Sequence, residues 1–522
     1  MSQSPKAPTN MIENSSAIHS PGVLRLASLL LIALAAVLYF SRLGATPLRV
    51  NAEIRTFEIT NNMLLRKDFI VPVFRGETRY NKPPLYYWSS IATSRLLRRF
   101  DLGVHRIPSA IAALGVLALG VAWGRLLGKE RESLLGLNIL AITYLFVVQA
   151  RRGSFEQMLS FFCNASLLAF YLSWVRRSRC WAMVGAIAFG LAFLTKGTPA
   201  LPYVPLVLAV WLGLQGQLKK LWRKELLIVT LVGSAIAVSW YVYILLFRPD
   251  SRSDILGELL LPLGVKATQQ TTAEHKEPFY FYFLTIWRAG YPLSLFLPLT
   301  VAYVVRHRLF PPQSVQRLLV LTVLVPFLIF SAIPMKQDHY LLPGFLPLAL
   351  LTGWAIHEVA QGLINLSRKW VTVPLVLGAV LLLLSAIATA VGTYMIFDTV
   401  AGALAVAILL AAGGGSTLWL VRRGRLHLAP HILALTTGVL FGWYFIWVRP
   451  IEDGFGSGSL LLAKDYNAAY WNAKFERYPI LKRLLDVERG ERIVQKSRAK
   501  MRFEDTSGTL TTSGDDNEAS TR

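Results

Sequence analysis

Glu53, Arg55, Glu58, Lys82, His105, Arg106, Arg151, Arg152, Glu156, Lys196, His275, Lys336 and Tyr340 stand in or beside the polar connections between long apolar runs. Charge close to a hydrocarbon phase is costly, so such residues either pair with one another or serve a ligand. Arginine offers a planar fork that fits phosphate oxygens, whereas lysine offers a compact point charge. Tyr340 adds one phenolic donor, and a carboxylate such as Glu53 or Glu156 can take the proton of an acceptor hydroxyl. The combination suits a substrate whose phosphate rests at the headgroup boundary while its lipid tail stays in the bilayer. Plainer roles exist for each residue. The carboxylates can pair with neighbouring arginines, Arg55 and Lys82 can bind headgroups, Lys196 can end or start a helix, and His275 can be an isolated loop histidine. No metal cluster is apparent in the sequence, so no cofactor is expected, and a divalent metal is possible but not indicated.

The elements that must position these groups are membrane helices. Of 522 residues, 54% are hydrophobic, more than a soluble fold of this length needs to bury. Apolar runs of roughly 17 to 25 residues, enough to cross a core about 30 Å thick, recur from Val23 to Val448. The pattern predicts an all-α polytopic bundle of about thirteen spans. They fall near 23–40, 105–124, 133–150, 157–175, 181–195, 199–216, 226–248, 289–305, 317–334, 341–360, 371–397, 399–420 and 429–448. The net charge of +24 does not form a nucleic-acid-binding module. Its lysines and arginines concentrate in alternate short connections (RLLGKERE, RRSR, KKLWRK, RHR, SRKW, RRGR), which fixes those on the cytoplasmic side and places both the amino terminus inside and the carboxyl terminus outside. Two cysteines make no disulfide framework.

Residues 1–22 read as a disordered cytoplasmic tail, 23–450 as the membrane domain, and 451–522 as an external tail with a disordered end. The segment 41–101 is an external loop with juxtamembrane helices, in which YYWSSIATSRLLRRF suggests an interfacial helix with Tyr86, Tyr87 and Trp88 at headgroup level. The triple glycine at 413–415 suggests close helix packing.

Several segments together resemble one known family. AEIRTFEITNNMLLRKDFIVP, NKPPLYYW, HRIPSAIAALG, ARRGSFEQMLSFF, FGLAFLTKGTPAL, HKEPFYFYF and SAIPMKQDHYLLPGFLPLALL, in that order, are similar to the bacterial aminoarabinose transferases and the related protein-O-mannosyltransferase-like enzymes. The resemblance runs from about residue 23 to 450. It implies a GT-C glycosyltransferase of the plasma membrane that uses a polyprenyl-phosphate-linked sugar, acts outside the cytoplasm, inverts the anomeric centre and serves a lipid or protein acceptor. It also implies that Arg55, Lys82, Lys336 and Tyr340 face the phosphate, that Glu156 stands for an Asp of the second external turn, and that Lys196, His275 and Asn81 lie at the substrate site. Two departures matter. Ala52 stands where the family commonly has Asp, and Asn81 where it commonly has Glu, so the base is shifted to Glu53 or Glu156, the substrate differs, or catalysis is lost. The rival readings are a secondary transporter, which often carries paired halves of a kind not found here, and an inactive relative that binds the polyprenyl-phosphate sugar.

Overall fold

The computed structural model describes residues 21–48, 50–218, 224–248, 277–456 and 468–495. The expected disordered segments at both termini, and His275, lie outside the described residues, apart from the first turn of the first helix. In hydrocarbon every backbone N–H and C=O needs a partner within the chain, and the helix supplies one locally, so the apolar runs fold as helices. In chain order these are α1 (Pro21–Phe40), α2 (Asn51–Arg66), α3 (Leu85–Leu97), α4 (Leu102–Leu126), α5 (Glu130–Ala141), α6 (Tyr144–Ala150), α7 (Glu156–Arg176) and α8 (Arg179–Lys196). They continue as α9 (Pro205–Gly213), α10 (Lys224–Phe247), α11 (Phe281–Ala289), α12 (Leu297–Arg306), α13 (Val315–Ala332), α14 (Phe345–Ala360), α15 (Lys369–Phe397), α16 (Val400–Arg422) and α17 (Ala429–Trp443). Short helices follow, among them α18 (Arg449–Gly456), α19 (Ala468–Arg477) and α20 (Pro479–Leu484). Among the described residues the sheet content is one two-residue antiparallel ladder, β1 (Val73–Phe74) with β2 (Glu77–Thr78), between α2 and α3.

Among the described residues, eight helical segments are long and apolar enough to cross a membrane, or up to ten if each of two bent pairs is one span. Leu29–Phe40, Thr198–Gly213 and Leu231–Phe247 are shorter apolar helices. The apolar runs picked out in the sequence fall on helices or bent pairs, and eight to ten of the expected thirteen qualify as spans by length and composition among the described residues. The run at 133–150 is broken by 69° between α5 and α6, and the run at 289–305 is part of a pair that begins at Phe281 and bends by 117° around Gly290 and Pro292. Such breaks free backbone groups from the helical ladder. Here they satisfy one another, since the Tyr144 N–H at one break donates to the Tyr291 carbonyl at the other at 2.8 Å.

Lipid tails are as apolar as leucine, so helices in a bilayer associate by close packing, and glycine permits the closest approach. A Cβ on Gly136 would lie 1.8 Å from the Ala349 carbonyl oxygen, and one on Gly353 2.2 Å from that of Glu132, so α5 and α14 meet backbone to backbone. The triple glycine behaves similarly. Gly413 faces Thr436 of α17 and Gly414 faces the Ala379 carbonyl of α15, while Gly415 faces open space.

The two ends of the bundle differ. At one, Glu358 receives Lys129 at 3.1 Å and the Tyr303 hydroxyl at 2.8 Å and lies 3.5 Å from His307, which brings together connections rich in lysine and arginine. At the other sit α2, α3 and the carboxyl-terminal helices. Lys474 of α19 donates to the carbonyls of Met395 and Ile396 at the end of α15, each at 2.9 Å, and pairs with Asp398 at 2.8 Å. Phe455, Leu481 and Leu485 pack with Val448 and Met395, so the described part of the tail is fastened to the spans.

Replacing Gly353 by Val forces side-chain atoms into backbone that cannot yield, and overpacking costs roughly 1–3 kcal/mol. The expected result is a lower thermal midpoint in detergent for Gly353→Val, with Gly415→Ala equal to or above wild type. Equal midpoints for Gly353→Val and wild type would contradict the backbone contact.

Candidate active site

The polar end is built in two storeys. The outer one begins at Glu53, in the first turn of α2, where a carboxylate favours the positive end of the helix. Glu53 is only 4% exposed. Arg106 of α4 grips it with both prongs, Nε to Oε1 at 2.7 Å and Nη2 to Oε2 at 3.0 Å, and the Gly153 N–H donates to Oε1 at 2.6 Å. Burial pushes the Glu53 carboxyl up, but Arg106, the Gly153 N–H and the charge of Arg152 outweigh it and hold the group below the ordinary carboxylate range. The third nitrogen of Arg106 donates to the carbonyls of Leu43 at 2.8 Å and Thr46 at 2.7 Å. Arg151 similarly donates to Leu38, Tyr39 and Ser41, the otherwise orphaned carbonyls at the end of α1. Gly153 has to be glycine, because a Cβ there would sit 2.3 Å from the His105 ring.

His105 is buried between Ser90 at 2.9 Å and Thr56 at 3.2 Å, and its carbonyl accepts the Tyr86 hydroxyl at 2.8 Å. This corrects the headgroup position expected for the YYW element. Tyr86 and Tyr87 are buried against Phe155, because α3 packs onto α4 and the turn before α7. Trp88 is half-buried, with its indole N–H on the Phe69 carbonyl at 2.6 Å.

The inner storey is centred on Glu156, which opens α7. Lys196 closes α8, and at 1.5 Å per residue that helix is about 27 Å long, close to the thickness of a hydrocarbon core, so Lys196 is delivered to the end opposite Arg179. Gly197, at φ 82°, stops the helix there in a backbone conformation that side chains disfavour. Lys196 Nζ pairs with Glu156 Oε2, and both residues are buried. The other oxygen, Oε1, lies 3.2 Å from His339 Nε2, and His339 Nδ1 lies 3.3 Å from Asp338 Oδ1. Lys82 adds its charge to Glu156, and its neighbour Pro83 lies within 4 Å of a Cβ built on Gly197. The Tyr340 ring receives the Lys196 ammonium at 4.9 Å from its centre, and the Tyr340 carbonyl accepts the Tyr203 hydroxyl at 2.6 Å. Arg152 links the storeys, acting electrostatically on both Glu53 and Asp338.

Of the residues singled out in the sequence, Glu156, Lys196, Lys82 and Tyr340 therefore converge from four separate segments. Glu53 is instead engaged by Arg106 and Gly153, the plain pairing with arginine that the sequence also allowed. Lys336 is buried and directs its ammonium at the Ile333 carbonyl at 2.6 Å and the Glu277 carbonyl at 2.8 Å. Asn81, beside Lys82, accepts from Arg79 at 3.4 Å, and Arg55 is partly buried on α2. Asp338 and His339 were missed, although they directly precede Tyr340 in the segment MKQDHY. Among the described residues no group of three His, Cys, Asp or Glu side chains is arranged to hold a metal ion.

The family model described as dolichyl-phosphate-mannose-protein mannosyltransferase matches residues 81–243. An undecaprenyl phosphate-alpha-4-amino-4-deoxy-L-arabinose arabinosyl transferase of Aeromonas salmonicida is 28% identical over 72% of this chain and 68% of its own length. The enzyme of the same description from Pseudomonas paraeruginosa is 30% identical over 63% of this chain. The match spans 59% of that relative's length, and 61% of a further relative from Aquifex aeolicus. Crystal structures of ArnT from Cupriavidus metallidurans, apo and bound to undecaprenyl phosphate, both superpose with a TM-score of 0.64. The apo form is 19% identical and covers 83% of this chain and 79% of ArnT; the bound form is 20% identical and covers 84% and 80%. The shared fold is the multi-pass, all-α GT-C membrane fold.

Because the folded chain holds the Glu53 carboxyl below its unfolded value, the pair contributes stability that is complete above about pH 4.3 and is lost as pH falls through the lowered value. The thermal midpoint should fall on acidification below that pH, and Glu53→Gln should remove this part of the dependence. Arg106→Ala, which leaves a buried charge unpaired, should cost roughly 3–5 kcal/mol. A midpoint in Arg106→Ala within a degree of wild type would contradict the anchoring role.

Proposed function

We propose that this chain, which shares the membrane fold and the signature segments of the aminoarabinose- and mannosyltransferase-like GT-C family, transfers a sugar from a polyprenyl-phosphate-linked donor to a lipid acceptor of the cell envelope. One observation carries the reading: a buried carboxylate, Glu156, sits among Lys196, His339 and the charge of Lys82 at one end of a membrane bundle. A cationic recess at that depth suits an anionic headgroup whose tail lies in lipid. The names of the relatives support undecaprenyl phosphate as the carrier class.

In this reading Lys82, Lys196 and Arg55 stabilise the charge that develops on the departing phosphate, and Tyr340 lines the recess beside them. Glu156 takes the proton of the acceptor hydroxyl as the acceptor oxygen attacks the anomeric carbon. The bond from that carbon to the phosphate oxygen breaks with its electron pair going to the carrier, so the anomeric configuration inverts. Glu53, with both oxygens already engaged, anchors the storey above and takes no proton. The Lys- and Arg-rich connections at the opposite end fit the cytoplasmic side, and this reading assigns Glu156 and the charges around it to the outer face.

The test is transfer by the purified protein in lipid vesicles, with a labelled undecaprenyl-phosphate-linked aminopentose or hexose and extracted envelope lipids as acceptors, read by mass spectrometry. A glycosylated lipid is expected, with Glu156→Gln slower by about 10²-fold or more and Lys82→Ala raising the donor KM. Donor binding without turnover would make the protein an inactive binding relative, and uptake of sugar without any glycosyl product would make it a transporter.

A further inference from the structure

His339 lies at the Glu156 carboxylate with Asp338 behind it, yet the proposed transfer does not by itself give either of them a task. His339 spans two carboxylates, with Nε2 3.2 Å from Glu156 Oε1 and Nδ1 3.3 Å from Asp338 Oδ1. Its ring stands edge-on to Tyr340, with centroids 5.3 Å apart and planes at 83°, which fixes the orientation of the imidazole. The short helical turn Asp338–Gly344 that carries it is tied down on several sides. The Tyr282 hydroxyl donates to the Gln337 carbonyl at 3.1 Å, the Tyr203 hydroxyl to that of Tyr340, and the Asn164 amide to that of Pro343 at 3.0 Å. Charged groups facing the pair from neighbouring elements are Lys196 and Lys82, which act on Glu156, and Arg152, which acts on Asp338.

We propose that His339, oriented by Asp338, is the positioning residue that holds the Glu156 carboxylate in place for proton acceptance. This rests on the transferase reading given above. The carboxylate would otherwise answer to Lys196, a flexible point charge on one oxygen, and to the charge of Lys82. A directional N–H on the second oxygen fixes the plane of the carboxylate and leaves one lone pair on each oxygen for the acceptor proton. Asp338, 3.3 Å from Nδ1, fixes the ring orientation in which Nε2 faces Glu156. The three residues pass no group among themselves, and the only proton moved is the one from the acceptor hydroxyl to Glu156.

The experiment compares steady-state transfer by wild type, His339→Ala, His339→Gln, Asp338→Asn and the double variant Asp338→Asn/His339→Ala, each first checked for an unchanged thermal midpoint and for donor binding. His339→Ala should lower kcat by about 10- to 100-fold with the donor KM unchanged, a loss of the size seen when a supporting hydrogen-bond partner is removed. His339→Gln, whose amide N–H can reach Glu156, should recover part of it. Asp338→Asn should slow the wild-type background several-fold and the His339→Ala background not at all, because its effect passes through the imidazole. Should His339→Ala fail to fold, the Gln and Asn variants carry the same comparison. An active wild type with kcat unchanged in His339→Ala, or with fully additive losses in the double variant, overturns the positioning role alone. A wild type that binds the donor and transfers nothing overturns the transferase reading beneath it.

Discussion

The bidentate pair between Glu53 and Arg106 holds the polar end of this protein together. It joins a juxtamembrane helix to a spanning one, and the same Glu53 oxygen that meets Arg106 also takes the Gly153 N–H. Gly153 lies three residues before Glu156, so the position of the inner carboxylate is inherited from the outer ion pair. A buried pair of this kind is weak as a source of net stability but severe when half of it is removed, which makes it suited to fixing geometry. Arg106 and Arg151 extend the fixation to the carbonyls at and just after the end of α1, so guanidinium groups tie this end of the bundle in addition to its apolar contacts.

The inner storey follows a different logic. There the carboxylate is held by a lysine at the end of one helix and a histidine on a neighbouring turn, with Lys82 contributing charge from the loop before α3. Each of these groups comes from a different connection, and none would be placed if its helix were a turn longer or shorter. Helix lengths matched to the bilayer thus set chemistry as well as topology. Gly197 illustrates the economy of the arrangement: its positive φ ends α8 at Lys196, and Pro83 of the Lys-Pro-Pro loop packs beside it.

The broken spans belong to the same picture. Irregular backbone at membrane depth is tolerated only where protein covers it, and the breaks between α5 and α6 and around Pro292 cover each other through the Tyr144 to Tyr291 hydrogen bond. α6 runs from that junction directly into Arg151, Arg152 and Gly153. The break therefore redirects the chain so that three consecutive residues reach α1, Asp338 and Glu53 respectively.

The sequence by itself determined the helical membrane architecture, because the period and length of apolar runs are set by hydrocarbon thickness and by the need to satisfy the backbone locally. It also determined the convergence of Glu156, Lys196, Lys82 and Tyr340, through the ordered segments that resemble a known family. Partnership is what only the tertiary structure decided. Glu53 and Glu156 look alike in sequence, each an acidic residue in the first turn of a helix. Arg106, 53 residues further on, engages one of them, while His339, which no local pattern links to Glu156, meets the other. The burial of Tyr86 and Tyr87 was equally out of reach, since an amphipathic aromatic segment has the same pattern whether it lies on lipid or on protein. Long-range pairing of charges depends on how helices pack, and packing is a property of the whole chain.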